Sequence, residues 1–209
     1  MNIKGLVALT FLLVAAFPGR ASAQEQKPPE FIILDEKHDT NTWVNRTGEV
    51  YLAVNVYLTR GAEGRSYLPL EIAVANPGEK GVTLTRDSFT LYDQAGNAFP
   101  AATPKELVKN YGRLVNDRTK MTRSRSMTPV FQGYNTMRSQ FAPNPRMAEG
   151  VSNVVTDRVD IPSGYMIMDL LYFKMPVTNL TGKYLELRVV IKGIEAPQTI
   201  KFMVDLPKK

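Results

Sequence analysis

Apolar and polar residues alternate along much of this chain, which is the period-two pattern of strands with one buried face. In residues 49–59, five apolar side chains fall on one face, and tyrosines and polar side chains fall on the other. Residues 68–74 repeat the pattern, and Asn76-Pro77-Gly78 ends them as a turn. Pro69 lacks a backbone donor, so this strand is predicted to lie at a sheet edge or to carry a bulge there.

Five further segments carry strand patterns. Residues 165–173 are apolar on both faces except at Asp169, as a central strand would be. Gly96, in the turn after residues 89–92, supplies the positive φ that a hairpin needs. The other three strands are predicted at 31–35, 185–191 and 200–204. Seven strands separated by turn signals predict a mainly β fold, an immunoglobulin-like antiparallel β-sandwich, with a barrel as the main alternative.

The strand pattern stops between Pro100 and Pro162. Thr103-Pro104-Lys105-Glu106 is a capping box with proline at the first helical position, so a helix should begin there. It is predicted to end near Asn116, with Gly112 as a weak point. Residues 117–160 show no clear period, and we expect a long, partly disordered loop with room for a second short helix. The apolar residues at helical spacing, which predict the buried face of the helix, are Leu107, Val108, Tyr111, Leu114 and Val115.

The first 23 residues have the pattern of a secretory signal peptide. Lys4 precedes an apolar run from 6 to 17, and Ala21-Ser22-Ala23 offers a cleavage site. The run is shorter than the roughly 20 apolar residues that span a membrane, although an uncleaved anchor is the alternative. We therefore expect an exported protein, periplasmic or extracellular, with a polar lead-in at 24–30 and one domain at 31–209. Residues 101–161 form its inserted helix and loop.

Composition narrows the compartment further. The chain has no cysteine and a net charge of +6, which becomes +4 when Lys4 and Arg20 leave with the signal. An exported chain of this length without disulfides fits a bacterial envelope better than a eukaryotic secretory pathway. Two glycosylation acceptor triplets, at 45–47 and 179–181, point the other way but arise often by chance.

Four short motifs follow one another in the strand regions. They are IAVAN at 72–76, FTLYD at 89–93 with Gly96 after it, IPSG at 161–164, and LYFKMP at 171–176. This series resembles the telokin-like immunoglobulin domains of bacterial exported proteins of unknown function. The similarity covers about residues 68–204 without the insertion. It implies an immunoglobulin-like fold and brings no catalytic residues with it.

Residues for catalysis or metal binding are sparse. His38 is the single histidine, and the Gly-x-Ser-x-Gly motif of serine hydrolases is absent. A set of zinc ligands is absent as well, so we expect no cofactor. Asp169 lies inside an apolar strand and could serve a hydrolase; otherwise it pairs with an arginine or lies on a solvated patch. Methionines of the insertion could bind Cu(I), or else fill gaps in packing. They are Met121, Met127, Met137 and Met147.

Positive charge is concentrated in the insertion. Nine basic and two acidic residues lie between positions 105 and 146, which gives this segment a charge of +7. Lys105, Lys109 and Arg113 stand four apart and would form one row along the predicted helix. The residues predicted to bind a partner are Lys105, Lys109, Arg113, Arg118, Lys120, Arg123 and Arg125.

These patterns favour a non-enzymatic binding protein. We expect the insertion to contact an anionic envelope component or an acidic protein. Peripheral contact with a membrane surface is one form that this binding could take. Export argues against nucleic acid as the partner, and no nucleic-acid-binding motif accompanies the charge. The alternatives are an envelope carbohydrate-active hydrolase that uses Asp169, a methionine-based copper-handling protein, and a solvated helix face without a partner.

Overall fold

A computed structural model describes residues 32–35, 39–60, 62–110, 112–123, 131–138, 141–142, 157–178, 180 and 182–204. The predicted signal peptide, the lead-in and His38 lie outside these residues. Within the described ranges, no helix combines the length and the apolar character that crossing a membrane requires.

The described residues form twelve strands and two α-helices. The strands are β1 Ile32–Asp35, β2 Asp39–Asn45, β3 Tyr51–Asn55, β4 Leu68–Ala75, β5 Val82–Thr85, β6 Phe89–Tyr92, β7 Ala98–Pro100, β8 Asn135–Arg138, β9 Arg158–Ile161, β10 Tyr165–Phe173, β11 Lys183–Val189 and β12 Gln198–Val204. The helices are α1 Pro104–Asn110 and α2 Leu114–Arg123, and two 3₁₀ turns lie at Tyr57–Thr59 and Arg86–Ser88.

Two of the sheets enclose the main core. The larger sheet has the order β1-β2-β3-β4-β10-β8, the smaller has β12-β11-β6-β7, and β5 pairs with β9 separately. The predicted mainly β sandwich is confirmed, with five strands more than the seven expected. All pairs are antiparallel except β8 with β10. Core side chains include Leu52, Val54, Leu70, Ile72, Ile167 and Leu171 from the larger sheet, and Phe89, Leu91, Leu185, Leu187, Ile200 and Phe202 from the smaller sheet.

The central position predicted for residues 165–173 is confirmed, because β10 lies between β4 and β8. Its inner face contributes Ile167 and Leu171 to the main core. Leu170 and Tyr172, on its outer face, pack with Leu107 of α1 in a second cluster. The insertion therefore covers one face of the larger sheet, which explains why β10 is apolar on both sides.

Two predicted features of the neighbouring strands are wrong. The strand expected at 49–59 ends at Asn55, since the Asn55 side chain accepts a hydrogen bond from the Tyr57 N–H at 2.8 Å and starts a turn. Pro69 is not at a sheet edge, because β4 lies between β3 and β10. On the β3 side, pairing with β4 begins only at Glu71. On the β10 side, Tyr172 lies opposite Pro69, and its carbonyl accepts from the Ala102 N–H instead of facing β4. The missing proline donor therefore falls outside the ladder.

The helix predicted from the capping box begins where expected but is shorter. It ends at Asn110, and α2 begins at Leu114 after a turn that contains Gly112 and Arg113. Glycine is costly inside a helix, which favours the break at this point. Within the stretch predicted to lack regular structure, the end of α2 and the strands β8 and β9 are also formed.

Candidate binding surface

The start of α1 is fixed by reciprocal hydrogen bonds between Thr103 and Glu106. The Thr103 N–H donates to Glu106 Oε2 at 2.8 Å, and the Glu106 N–H donates to Thr103 Oγ1 at 3.3 Å. This is the predicted capping box. Lys174, at the end of β10, adds an ion pair to Glu106 Oε1 at 2.7 Å. The hydrogen bond from Lys174, together with those from Thr103, lowers the pKa of Glu106 to about 2.

The predicted basic row does not lie on one helix. Lys105 and Lys109 are exposed on α1, but Arg113 is in the turn before α2. Lys120 is exposed on α2, so four of the predicted cations reach the solvent. Arg123 is the last residue of α2, and nothing is described of its side chain; Arg125 lies outside the described residues.

Arg118 was predicted to face a partner but points inward. Its Nη2 donates to the Ala142 carbonyl at 2.5 Å and lies 3.9 Å from Asp169 Oδ1. Asp169 is 2% exposed, and its carboxylate also accepts from the N–H groups of Phe141 and Leu170 at 2.5 and 2.7 Å. The arginine pairing considered for Asp169 is confirmed, and this carboxylate ties the insertion to β10.

Two arginines that the sequence did not single out also hold the insertion. Arg65 Nη1 lies 3.2 Å from Oδ1 of Asp117, which is 1% exposed. Arg86 donates to the carbonyls of Ala102, at 3.0 Å, and Phe141, and its Nε lies 3.2 Å from Asp157 Oδ1. Both arginines come from outside residues 101–161, and neither belongs to a motif, so only the folded chain identifies their role.

The surface that results is basic with one apolar side chain. Glu106 and Asp117, the two carboxylates between positions 105 and 146, are paired with cations from outside that segment. Val108, expected on the buried face of the helix, is 69% exposed. It lies three residues after Lys105, and Lys109 lies four residues after Lys105, so each is a neighbour of Lys105 on the surface of α1. We call Lys105, Val108, Lys109, Arg113 and Lys120 the α1–α2 surface.

The candidates for a copper site are only partly described. Met137, on β8, is half-buried and packs against the main core. Met127 and Met147 lie outside the described residues, and nothing is described of the Met121 side chain. Among the described residues, no three histidine, cysteine, aspartate or glutamate side chains come together as metal ligands.

Comparisons with known proteins find two solved structures with low sequence identity. No family model matches the chain, and no curated protein matches it. A solved structure of the yjhA protein from Bacillus subtilis is 13% identical over 70% of this chain and 76% of its own, with a TM-score of 0.34. A DUF4426 family protein from Pseudomonas aeruginosa PAO1 is 13% identical over 80% of this chain and 98% of its own, with a TM-score of 0.30. The resemblance to telokin-like domains stays an expectation, because no family model matches the chain.

Proposed function

We propose that this is an exported, non-enzymatic binding protein that docks on an anionic component of the cell envelope through the α1–α2 surface. The observation that carries the proposal is the exposed set of cations, whose neighbouring carboxylates are engaged by Lys174 and Arg65. Cations that keep their charge at a surface attract anionic groups over about 8 Å at physiological ionic strength.

Val108 favours lipid headgroups over an acidic protein as the component bound. A valine that is 69% exposed and one turn along α1 from Lys105 places an apolar group beside a basic side chain. Peripheral membrane binding combines these two contributions, since lysines attract anionic headgroups while apolar side chains enter the interface.

Asp169 and Met137, on which the two alternative functions depend in part, have packing roles in the fold. Asp169 is buried, and its oxygens are used by two backbone N–H groups and by Arg118, so it serves as a packing link. Met137 fills space against the main core. These contacts favour neither the hydrolase nor the copper-handling alternative.

Vesicle sedimentation tests the proposal. The protein without residues 1–23 should bind vesicles containing phosphatidylglycerol, release them as salt rises, and ignore pure phosphatidylcholine. Replacing Lys105 and Lys109 by Gln should weaken binding by about fivefold per lysine, which corresponds to about 1 kcal/mol each. The matched control replaces Lys80 and Lys192, two exposed lysines elsewhere, by Gln. Thermal melts should show all variants folded.

The outcomes separate the possible partners. Val108→Ser should weaken vesicle binding without altering the charge, because it removes only the apolar contact. Equal binding by the Lys105/Lys109 variant and by its control would contradict the α1–α2 surface as the contact. Retention on an acidic protein column without binding to anionic vesicles would replace the lipid by an acidic protein partner.

A further inference from the structure

Two neighbouring depressions lie along the smaller sheet, and neither is lined by a residue of the α1–α2 surface. One depression of about 300 Å³ is lined by Tyr92, Tyr184, Glu186, Arg188 and Lys201 and by the Asp93–Gly96 turn. A second, of about 360 Å³, shares Asp93, Gln94, Tyr184 and Leu185 with it. The two depressions therefore adjoin, and we call them together the groove.

The strand register places the charged and aromatic residues of the first depression on one face of the sheet. Glu186 of β11 lies opposite Tyr92 of β6 on one side and Lys201 of β12 on the other. Tyr184 and Arg188 flank Glu186 two residues away along β11, at about 7 Å each. The alternate positions Leu187 and Val189 belong to the main core instead. Tyr184 is 43% exposed, so its ring is accessible at the middle of the groove.

The carboxylates of the groove are already engaged. Arg188 Nη2 donates to Glu186 Oε1 at 3.0 Å, and Lys201 Nζ lies 3.8 Å from Glu186 Oε2. Asp93 accepts hydrogen bonds from the Ala95 and Asn97 N–H groups and from the Asn97 side chain, and these bonds lower the pKa of Asp93. Both carboxylates of the groove therefore already have partners within the protein.

The cations of the groove outnumber these acids. Lys183, Arg188 and Lys201 line it against Asp93 and Glu186. The guanidinium carbon of Arg188 lies 4.4 Å from the centre of the Tyr92 ring, a cation–π contact that helps to fix this side chain. A preorganised guanidinium beside a lysine is suited to bind a carboxylate.

The second depression extends the groove with an amphipathic wall. Its apolar lining comes from exposed Pro176, from half-buried Phe99, and from Met175 and Leu180, which are 5% and 3% exposed. Gln94, Thr178 and Lys183 supply polar groups. Apolar walls with a few placed polar groups are the usual composition of small-molecule sites. A ligand with an apolar face, hydroxyl groups and a negative charge fits this lining.

We infer that this groove binds a saccharide that carries carboxylate groups. The ring of Tyr184 packs against the apolar face of one sugar unit. Arg188 and Lys201, which also hold Glu186, bind its carboxylate, and the neighbouring unit lies along Phe99 and Pro176. Saccharides combine flat apolar faces with hydroxyl groups at the ring edge, which fits an exposed tyrosine between polar side chains. The excess of cations selects the acidic members of this class.

Isothermal titration calorimetry with two ligands tests the site on the protein without residues 1–23. Short oligogalacturonates should bind and should lose affinity as salt rises, whereas neutral maltooligosaccharides should bind more weakly. Tyr184→Ala should weaken oligogalacturonate binding by roughly tenfold. Lys201→Gln should reduce the preference for the acidic ligand over the neutral one, because it removes one charge from the groove.

Matched controls separate the groove from the rest of the surface. Tyr57→Ala removes a tyrosine of similar exposure, 39%, that does not line the groove. Lys192→Gln removes an exposed lysine outside it. Both should bind oligogalacturonate like the unmodified protein, and so should the Lys105/Lys109 variant, whose defect is confined to vesicles.

Two results would overturn the inference. One is the absence of oligogalacturonate binding to the unmodified protein, and the other is undiminished binding by Tyr184→Ala with a normal thermal melt. If Lys105→Gln with Lys109→Gln abolished saccharide binding and the groove variants did not, the saccharide would belong to the α1–α2 surface instead.

Discussion

The insertion presents a different charge at its surface from the charge counted in its sequence, because arginine ion pairs turn some of its charged side chains inward. Arg118 belongs to the basic segment by sequence, yet it binds Asp169 and the Ala142 carbonyl. Asp117 belongs to the same segment and is buried against Arg65. A count of charges along an aperiodic stretch carries no information on which side chains turn inward, because such a stretch has no period to mark its buried face.

The ion pair between Glu106 and Lys174 predicts a pH dependence. The pKa of Glu106 is lowered from 4.5 to about 2, so the folded state favours the ionised carboxylate. Its contribution to stability is therefore complete above pH 4.5 and is lost as the pH falls from 4.5 towards 2. Lys174→Met should raise the pKa of Glu106, although the hydrogen bonds from Thr103 remain.

An NMR titration of the Glu106 side-chain carboxyl carbon measures this directly. The midpoint should lie far below the ordinary value in the unmodified protein and move upward in Lys174→Met. Lys192→Met, which removes an exposed lysine elsewhere, should leave the midpoint in place. An ordinary midpoint in the unmodified protein would show that the ion pair does not persist in solution.

Helix and turn boundaries depend on different signals in this chain. The start of α1 was predictable, because a capping box is a local pattern whose two partners are three residues apart. Its end was not, since the apolar spacing continues through residues 111–115 while the helix stops at Asn110. Gly112 marks the break, but a glycine alone does not show whether a helix bends, ends or continues.

Two glycines in turns should respond in opposite ways to the same substitution. A Cβ at Gly112 or at Gly96 meets no atom within 4 Å, but only Gly96 has a positive φ, of +83°. Gly112→Ala should leave stability unchanged or raise it by up to about 1 kcal/mol, because the unfolded chain loses freedom. Gly96→Ala should lower it by about 1 kcal/mol or more, because alanine is strained at this φ.

Urea unfolding of the two variants compares them on one scale. Relative to the unmodified protein, the free energy of unfolding should be unchanged or higher for Gly112→Ala. It should be clearly lower for Gly96→Ala. Equal destabilisation by both would mean that the turn between α1 and α2 does not have the conformation described here.

Across the molecule, the sandwich was predictable and the covering of its outer face was not. Strands such as Phe89–Tyr92 and Tyr165–Phe173 were predicted at their observed bounds, because alternation or continuous apolar character records which faces are buried. Short strands with polar sequences, such as Asn135–Arg138, have no apolar pattern that would predict them. The parallel pairing of this strand with β10 joins residues far apart in the chain, and local patterns do not encode it.

The α1–α2 surface could be predicted only in part, for the same reason. Lys105, Lys109 and Lys120 are exposed as expected. The exposure of Val108 and the burial of Arg118 depend on how the two short helices pack on Leu170 and Tyr172. The saccharide groove left no sequence motif, since its residues come from β6, β11, β12 and the loops around them.

The contacts of Arg86 have a consequence for the cooperativity of unfolding. This side chain bonds to Ala102 near the start of the insertion, to Phe141 within it and to Asp157 close to its end. An opening motion that frees the insertion must break these contacts together, so amides of α1 and of Phe141 should exchange their hydrogens nearly as slowly as the core. Arg86→Met should speed that exchange well before it affects β11 and β12, while Arg158→Met, at an exposed pair, should not. Uniform acceleration in both regions would instead make the insertion and the sandwich one cooperative unit even without Arg86.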